Sequence, residues 1–122
     1  MKLKISNLDK AFSEYVRLCS GGYCKRCKKY CGAKGLQSAH MFGRIRHTTR
    51  WNEKNVYALC ASCHYGLDTN PIKKTSFLYE VLSEKEIREL EELSRKTIKD
   101  EPIDKEKLLE EYKQKIKLLK GE

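Results

Sequence analysis

Apolar residues at helical spacing predict a short amphipathic helix near the start of the chain, with Asn7 or Asp9 as its N-cap. The residues of this helix that are available for burial are Phe12, Val16 and Leu18. A Ser-Gly-Gly sequence at residues 20–22 then stops the helix. From residue 23 to residue 68 the helical spacing is lost, and the sequence consists of cysteine pairs, short strand-like runs and loops.

Helical spacing returns at Pro71 and continues through the rest of the sequence. Ser83 and Glu86 form a capping box for a helix that we expect to run to about Lys99, with an apolar face of Ile87, Leu90 and Leu93. Glu101 and Pro102 interrupt the helical spacing, and Asp104 is the expected N-cap of a last helix. The apolar stripe of that helix consists of Leu108, Leu109, Tyr112, Ile116 and Leu119. Because the stripe has no evident partner within the chain, we expect a homodimer through the C-terminal helices.

The sequence has 122 residues and six cysteines, which fits one domain or a small domain with an extension. It contains no run of about 18 apolar residues, and its first residues lack the apolar segment of a secretory signal. We therefore expect no membrane insertion and a cytoplasmic location. In that reducing compartment, paired cysteines indicate a metal site more often than disulfides.

Positive charge is concentrated in the first 70 residues, which contain 13 Lys and Arg against four Asp and Glu. The remaining residues contain 13 of each kind, so the whole net charge of +9 belongs to the part that carries the cysteines and histidines. A basic field beside candidate metal ligands indicates a polyanionic partner, with nucleic acid the first choice. On charge alone, the alternative is a basic protein without such a partner.

The strongest local motif is two CxxC pairs, formed by Cys24 and Cys27 and by Cys60 and Cys63. Each pair is a short turn that can direct two thiolates to one point, and four thiolates form a closed tetrahedral zinc site. A redox dithiol and disulfides are the competing interpretations. We predict one structural Zn²⁺ on these four cysteines, with Cys19 and Cys31 outside the site.

Three further residues accompany the cysteine pairs in a fixed order, and they are His40, Asn55 and His64. His40 precedes Asn55 by 15 residues, and Asn55 precedes His64 by nine. This arrangement resembles the HNH nucleases, also called His-Me finger or ββα-metal nucleases. The version with two CxxC pairs is similar to phage endonuclease VII and to the phage NinG/Rap recombination proteins. The resemblance covers roughly residues 22–82.

The resemblance implies an α+β fold in which a ββα-metal finger with a structural four-cysteine zinc site carries a short N-terminal helix and C-terminal helices. The expected segments are an N-terminal helical segment (1–21), a zinc-containing nuclease core (22–72) and a C-terminal helical extension (73–122). The implied activity is that of a metal-dependent DNA endonuclease of phage recombination or replication, acting in the cytoplasm of a bacterial host cell.

The residue types also suit phosphodiester hydrolysis. An imidazole with a pKa near 6.5 is partly neutral at neutral pH, so His40 can accept a proton from the attacking water, and the resemblance gives it the same role. Asn55 is expected to brace the loop and to orient His40 through an amide hydrogen bond. His64 is expected to bind a catalytic Mg²⁺ or Mn²⁺. Asp68 lies four residues further along the same helix face and is the second candidate ligand.

The segment from residue 42 to residue 51 contains three Arg, two Thr and a Trp, which can supply phosphate contacts and a stacking surface. We expect Arg44 and Arg50 nearest the scissile phosphate, whereas core packing is the better interpretation of Trp51. The complete set of expected DNA-binding residues is Lys25, Arg26, Lys28, Arg44, Arg46, His47 and Arg50.

Two classes of function follow from these patterns. The first is the endonuclease, with branched DNA as the expected target if the chain forms a two-fold dimer. The alternative is a non-catalytic, zinc-stabilised DNA-binding or recombination accessory protein. Many family members carry an acid or a histidine immediately before the general base, and this chain has Ala39 there, which favours the alternative. Charge does not distinguish DNA from RNA.

Overall fold

A computed structural model describes residues 4–122, so the first three residues of the expected N-terminal segment lie outside the description. The elements are α1 (Asn7–Cys19), a single 3₁₀ turn (Ala33–Gly35), β1 (Leu36–His40), β2 (Val56–Cys60), α2 (Ala61–Asp68), α3 (Pro71–Val81), α4 (Glu84–Arg95) and α5 (Lys105–Leu119). Within this part of the chain the fold is α+β, as predicted, with five α-helices and one two-stranded sheet.

The two strands form an antiparallel hairpin whose long loop, residues 41–55, separates them. Leu36 pairs with Cys60 at one end of the sheet, and His40 pairs with Val56 at the other. α2 begins directly after β2, so the second CxxC pair lies at the junction of strand and helix. This order places His40 at the end of a strand next to the loop and His64 inside the following helix.

The N-cap of α1 is Ser6, so the expectation of Asn7 or Asp9 is wrong. The Ser6 hydroxyl accepts a hydrogen bond from the backbone N–H of Asp9, and the Asp9 carboxylate accepts one from the Ser6 backbone N–H. This reciprocal capping box satisfies two backbone donors at the helix start. Phe12 and Val16 are buried, as predicted, while Leu18 is half-buried.

α5 packs against α1, and this contact overturns the interpretation of its apolar stripe. The Tyr112 ring meets the ring of Phe12 edge to face, with 5.0 Å between the centroids, and lies 5.1 Å from the ring of Tyr15. Tyr112 and Ile116 are buried, and only Leu119 of the stripe is well exposed. The expectation that the stripe lacks a partner within the chain is therefore wrong, and the reason given for a dimer on this face no longer holds.

The capping predictions for the last two helices are confirmed, but α4 ends earlier than expected. Ser83 and Glu86 form the capping box of α4, and Asp104 caps α5. α4 stops at Arg95 rather than near Lys99 because the next residues form a turn. In that turn the Asp100 carboxylate accepts hydrogen bonds from the backbone N–H and the hydroxyl of Thr97.

One apolar core joins the three expected segments. Its buried members come from α1, both strands, α2, α3 and α5, and they include Phe12, Leu59, Leu67 and Phe77. The expected boundary after residue 72 falls inside α3, which begins at Pro71. None of the helices in residues 4–122 has the length and apolar character needed to span a membrane.

Candidate functional site

The four CxxC cysteines come together at one end of the hairpin. The sulfur atoms of Cys24, Cys27, Cys60 and Cys63 all lie within 4.8 Å of one another. The sulfurs of Cys27 and Cys60 are 3.9 Å apart. Zn–S bonds of about 2.3 Å in a tetrahedron put sulfur atoms about 3.8 Å apart, so this cluster fits a structural zinc ion.

The thiols of the cluster differ in acidity because their surroundings differ. Burial would raise the pKa of Cys24, but neighbouring backbone N–H groups outweigh it and lower that pKa to about 6. Burial beside the other three sulfurs raises the pKa of Cys63 to about 12. A shared Zn²⁺ would stabilise the thiolate form of all four cysteines at once. Cys19 and Cys31 are free thiols outside the cluster, as expected.

Residues 23–30, here called the zinc knuckle, wrap the first cysteine pair into a tight turn. The backbone N–H of Cys24 donates to the Lys29 carbonyl, and the N–H of Lys28 donates to the Cys24 carbonyl, both at 2.9 Å. Lys28 adopts a left-handed conformation with φ of 66° to make this turn. The N–H of Lys25 donates to the carbonyl of Ala58, which fixes the knuckle to β2.

A cleft of about 640 Å³ opens between α1, the end of β1 and α2. The residues expected in a catalytic site that line it are His40, Arg44, His64 and Asp68. The cleft therefore brings together the proposed general base and both proposed ligands of the catalytic ion. Asn55 does not line the cleft.

His40 is held by a backbone group rather than by an amide side chain. Its Nε2–H donates to the Arg50 carbonyl at 2.9 Å, because a carbonyl oxygen only accepts. The neutral ring then has its free lone pair on Nδ1. Burial lowers the pKa of His40 below its usual 6.5, the hydrogen bond to Arg50 opposes this, and the positive charge of Arg44 adds to it. These surroundings favour the neutral form of the ring.

Asn55 is fully buried and braces the loop after β1. Its Oδ1 accepts from the Phe42 N–H at 2.7 Å, while its Nδ2 donates to the carbonyls of Phe42 at 3.0 Å and Thr49 at 2.9 Å. The predicted bracing is confirmed. The predicted amide hydrogen bond to His40 is wrong, because these backbone groups use the polar atoms of the Asn55 side chain.

Arg50 is buried in an ion pair, so its predicted role as a phosphate contact is wrong. Its Nη2 lies 2.6 Å from the Asp9 carboxylate, and the exposed fractions of the two side chains are 6% and 8%. Its Nε donates to the same carboxylate at 2.9 Å, and Nη2 also donates to the Lys4 carbonyl. Trp51 is buried as expected, and its Nε1–H donates to Asp9 at 3.0 Å.

His64 and Asp68 present a donor set that fits a divalent cation. Nδ1–H of His64 donates a hydrogen bond to Oε1 of Gln37 at 2.7 Å. Nε2 of the same ring lies 3.2 Å from Oδ2 of Asp68, which is an ion pair when Nε2 carries a proton and a pair of potential metal ligands when it does not. Adjacent ligands of an octahedral Mg²⁺ stand about 3 Å apart. Lys74 supplies positive charge to Asp68 at 3.7 Å.

Ala39 contributes nothing to the cleft. It is 1% exposed and belongs to the apolar core, on the strand residue before His40. The residue immediately before His40 is thus a core residue and supplies no metal ligand.

The cleft wall formed by α1 was missed by the sequence analysis. Lys10, Ser13 and Arg17 line it along one face of the helix, and the Ser13 hydroxyl lies 2.7 Å from that of Ser38 on β1. Their spacing of three and four residues is the signal that could have found them, because it places polar groups together on the side of the helix next to its apolar face. Gln37, the partner of His64, carried no recognisable signal.

The other expected DNA-binding residues lie outside the cleft lining. Arg46 is exposed, and His47 is half-buried with no hydrogen-bond partner for Nδ1 among residues 4–122. Lys25, Arg26 and Lys28 lie on the zinc knuckle. Of the arginines in the long loop, Arg44 alone borders the cleft.

Comparisons with protein families, curated proteins and solved structures found no match to this chain.

Proposed function

We propose that the protein is a metal-dependent endonuclease that hydrolyses DNA phosphodiester bonds. The observation that carries the proposal is that one cleft is lined by His40, whose Nε2 is bonded to the Arg50 carbonyl, and by His64 and Asp68, whose side chains lie 3.2 Å apart. A half-buried base and a two-ligand cation site in one cleft would supply the two groups that hydrolysis of a phosphodiester requires.

His40 acts as the general base in this proposal. Its Nε2–H remains bonded to the Arg50 carbonyl while Nδ1 accepts a proton from water, and the resulting hydroxide attacks phosphorus. The P–O3′ bond breaks, and the departing 3′ alkoxide takes a proton from water, so the products carry 5′-phosphate and 3′-hydroxyl ends. The carbonyl of Arg50 also stabilises the imidazolium, because it accepts a hydrogen bond from the charged ring.

His64 and Asp68 would hold the divalent ion, Mg²⁺ or Mn²⁺, with water and phosphate completing its coordination. When bound, the ion supplies electrostatic stabilisation of the charge that accumulates on the phosphate. Lys10, Arg17 and Arg44 border the same cleft and supply positive charge for the phosphates on either side of the scissile bond.

The order of the elements supports the proposal further. His40 ends the first strand, Asn55 immediately precedes the second, and His64 lies in the helix that follows. The resemblance to HNH nucleases rests on the same three residues, and the four-cysteine cluster is built from the two CxxC pairs that resemble those of phage endonuclease VII and the NinG/Rap proteins. On the basis of this resemblance, we propose a role in phage recombination or replication, in a bacterial host.

The test is cleavage of linear and branched DNA by purified zinc-loaded protein with Mg²⁺ or Mn²⁺. We expect His40→Ala to reduce the rate by roughly 10²- to 10⁴-fold, which is the usual contribution of a general base, without weakening DNA binding. Glu14→Gln is the matched control, because Glu14 lies on α1 in an exposed ion pair with Lys120.

A non-catalytic DNA-binding protein is the second candidate, and the burial of Ala39 favours it because that position supplies no ligand. The same experiment separates the two candidates. Strong DNA binding without cleavage by the wild-type protein, across Mg²⁺, Mn²⁺ and several DNA forms, would establish the binding protein and reject the enzyme.

A further inference from the structure

Two exposed tyrosines are the first and last residues of the zinc knuckle. Tyr23 and Tyr30 are 53% and 64% exposed, although aromatic side chains bury large apolar areas when a core is available. Their rings meet edge to face with 5.1 Å between centroids and 68° between planes. They therefore form one aromatic platform that is open to solvent.

The platform is held in place by the backbone. Tyr23 and Tyr30 are partners in an isolated antiparallel bridge, and the first cysteine pair of the cluster lies between them. Gly22, with φ of +90°, lies under the Tyr30 ring so closely that a Cβ atom there would stand 2.7 Å from the ring. Because the rings are already fixed, a ligand that stacks on them loses little side-chain entropy in doing so.

The residues between the tyrosines give the platform a strong positive charge. Lys25, Arg26, Lys28 and Lys29 occupy four of its six intervening positions. None of them forms an ion pair with a carboxylate within residues 4–122, the part of the chain that the structure describes. The sequence has no Asp or Glu from residue 15 to residue 52, so the negative charge nearest to these cations in the sequence is that of the cysteine thiolates, which a bound Zn²⁺ would partly neutralise.

We propose that the zinc knuckle binds a single-stranded DNA segment, with an unpaired base stacked on the Tyr23–Tyr30 platform and the phosphates held by the knuckle lysines. Exposed aromatic rings beside cations are the combination that binds single strands without reading their sequence. A duplex does not fit the platform, because its base faces are covered by stacking. The inference rests on the proposed function only for its choice of DNA, and it specifies a substrate that carries an unpaired strand, such as a flap or a branch.

The test is fluorescence anisotropy with a fluorescein-labelled oligothymidine of about 20 nucleotides and a labelled duplex of equal length, without added Mg²⁺ or Mn²⁺. We expect Tyr23→Ala to weaken single-strand binding about tenfold and duplex binding less than about twofold, because stacking on an aromatic ring requires a free base. Tyr23→Phe keeps the ring and should bind like the wild type. Lys29→Ala should lower the number of ions released on single-strand binding by roughly one, as read from the slope of log K against log salt concentration.

Tyr79→Ala is the matched control, since Tyr79 is 57% exposed on α3, away from the knuckle. Zinc content, measured for each variant, shows that the knuckle is intact. The inference is overturned if Tyr23→Ala and Tyr30→Ala bind the oligothymidine like the wild type, or if they weaken duplex binding equally. If the protein cleaves DNA but the tyrosine variants bind the oligothymidine like the wild type, only the platform proposal is rejected. If binding depends on the tyrosines but the protein cleaves no DNA, only the nuclease proposal is rejected.

Discussion

The backbone carbonyl of Arg50 lies 2.9 Å from Nε2 of His40, and the side chain of the same arginine is bound by Asp9 on α1. One residue thus fixes the tautomer of His40 with its main chain and attaches the loop to a helix with its side chain. The position of the proposed general base consequently depends on a carboxylate that does not touch it.

Replacing Asp9 should disturb both stability and the proposed catalysis. Asp9→Asn leaves the buried guanidinium of Arg50 without its counter-charge, and breaking a buried pair in this way costs about 3 to 5 kcal/mol. Urea denaturation measures this loss. The control is Glu14→Gln on the same helix, whose ion pair with Lys120 is exposed and should change the stability by less than about 1 kcal/mol. Equal effects of the two substitutions would contradict a structural role for the Asp9–Arg50 pair.

The same pair predicts a loss of stability in acid. Burial raises the pKa of Asp9, but the hydrogen bonds from Arg50 and Ser6 outweigh burial and lower it from 3.8 to about 2. Because the folded-state pKa is the lower one, the stabilisation is complete above about pH 4 and is lost as the pH falls towards 2. Denaturation of the wild type and of Asp9→Asn between pH 5 and pH 2 should show the two stabilities converging as the pH falls.

The proposed general base should still be able to accept a proton at mildly acidic pH. Burial of His40 lowers its pKa below 6.5, and the charge of Arg44 adds to this effect, so the acid limb of the kcat/KM profile should lie below pH 6.5. Arg44→Gln removes one cause of the lowering and should move the limb upwards. An NMR titration of the His40 ring reports the same pKa without cleavage. A ring that titrates above 6.5 would contradict the buried position.

Removing zinc should unfold the hairpin end of the molecule. We expect one zinc per chain by elemental analysis, and Cys60→Ser or Cys24→Ser should release it and lower the thermal midpoint sharply, because structural zinc contributes on the order of 10 kcal/mol. Cys19→Ser is the control, since Cys19 is exposed and outside the cluster. Retention of stoichiometric zinc by the double variant Cys60→Ser, Cys63→Ser would refute the assignment.

Because α5 packs on α1 within one chain, substitutions at their contact should lower the free energy of unfolding of the monomer. Tyr112→Ala removes a buried ring between Phe12 and Tyr15 and should cost about 3 kcal/mol or more. Tyr112→Phe keeps the ring and loses only the hydrogen bond to Glu53, so it should cost about 1 kcal/mol. If sedimentation instead showed that Tyr112→Ala halves the mass without changing stability, the α5 stripe would be an intermolecular surface.

Local motifs could be predicted from the sequence because their signals lie within a few residues. The capping box at Ser83, the cap at Asp104 and the convergence of the CxxC cysteines are of this kind. Arg50 could not be placed correctly, because its burial depends on Asp9, which lies 41 positions earlier in the chain. An arginine in a basic loop indicates phosphate binding until such a partner is known.

The need to know a partner that is distant in the sequence also explains why the packing of the α5 stripe and the α1 wall of the cleft could not be predicted. Amphipathic spacing shows that a helix has a face to bury but does not identify what covers it. α1 and α5 each carried such a face at opposite ends of the sequence, and their pairing became visible only in three dimensions. The polar side of α1 then lines the cleft because its apolar side is occupied by Tyr112.

The contact between Phe12 and Tyr112 joins positions 100 residues apart, which sets the order in which the molecule can be completed during synthesis. α1 leaves the ribosome before the hairpin and α5 leaves after it, so the apolar face of α1 stays uncovered until α5 has been made. Closing such a long loop is slow compared with forming the hairpin and its knuckle. The four cysteines of a nascent chain would therefore come together before α5 covers α1, and the wall that α1 contributes to the cleft would be fixed only after α5 has been made.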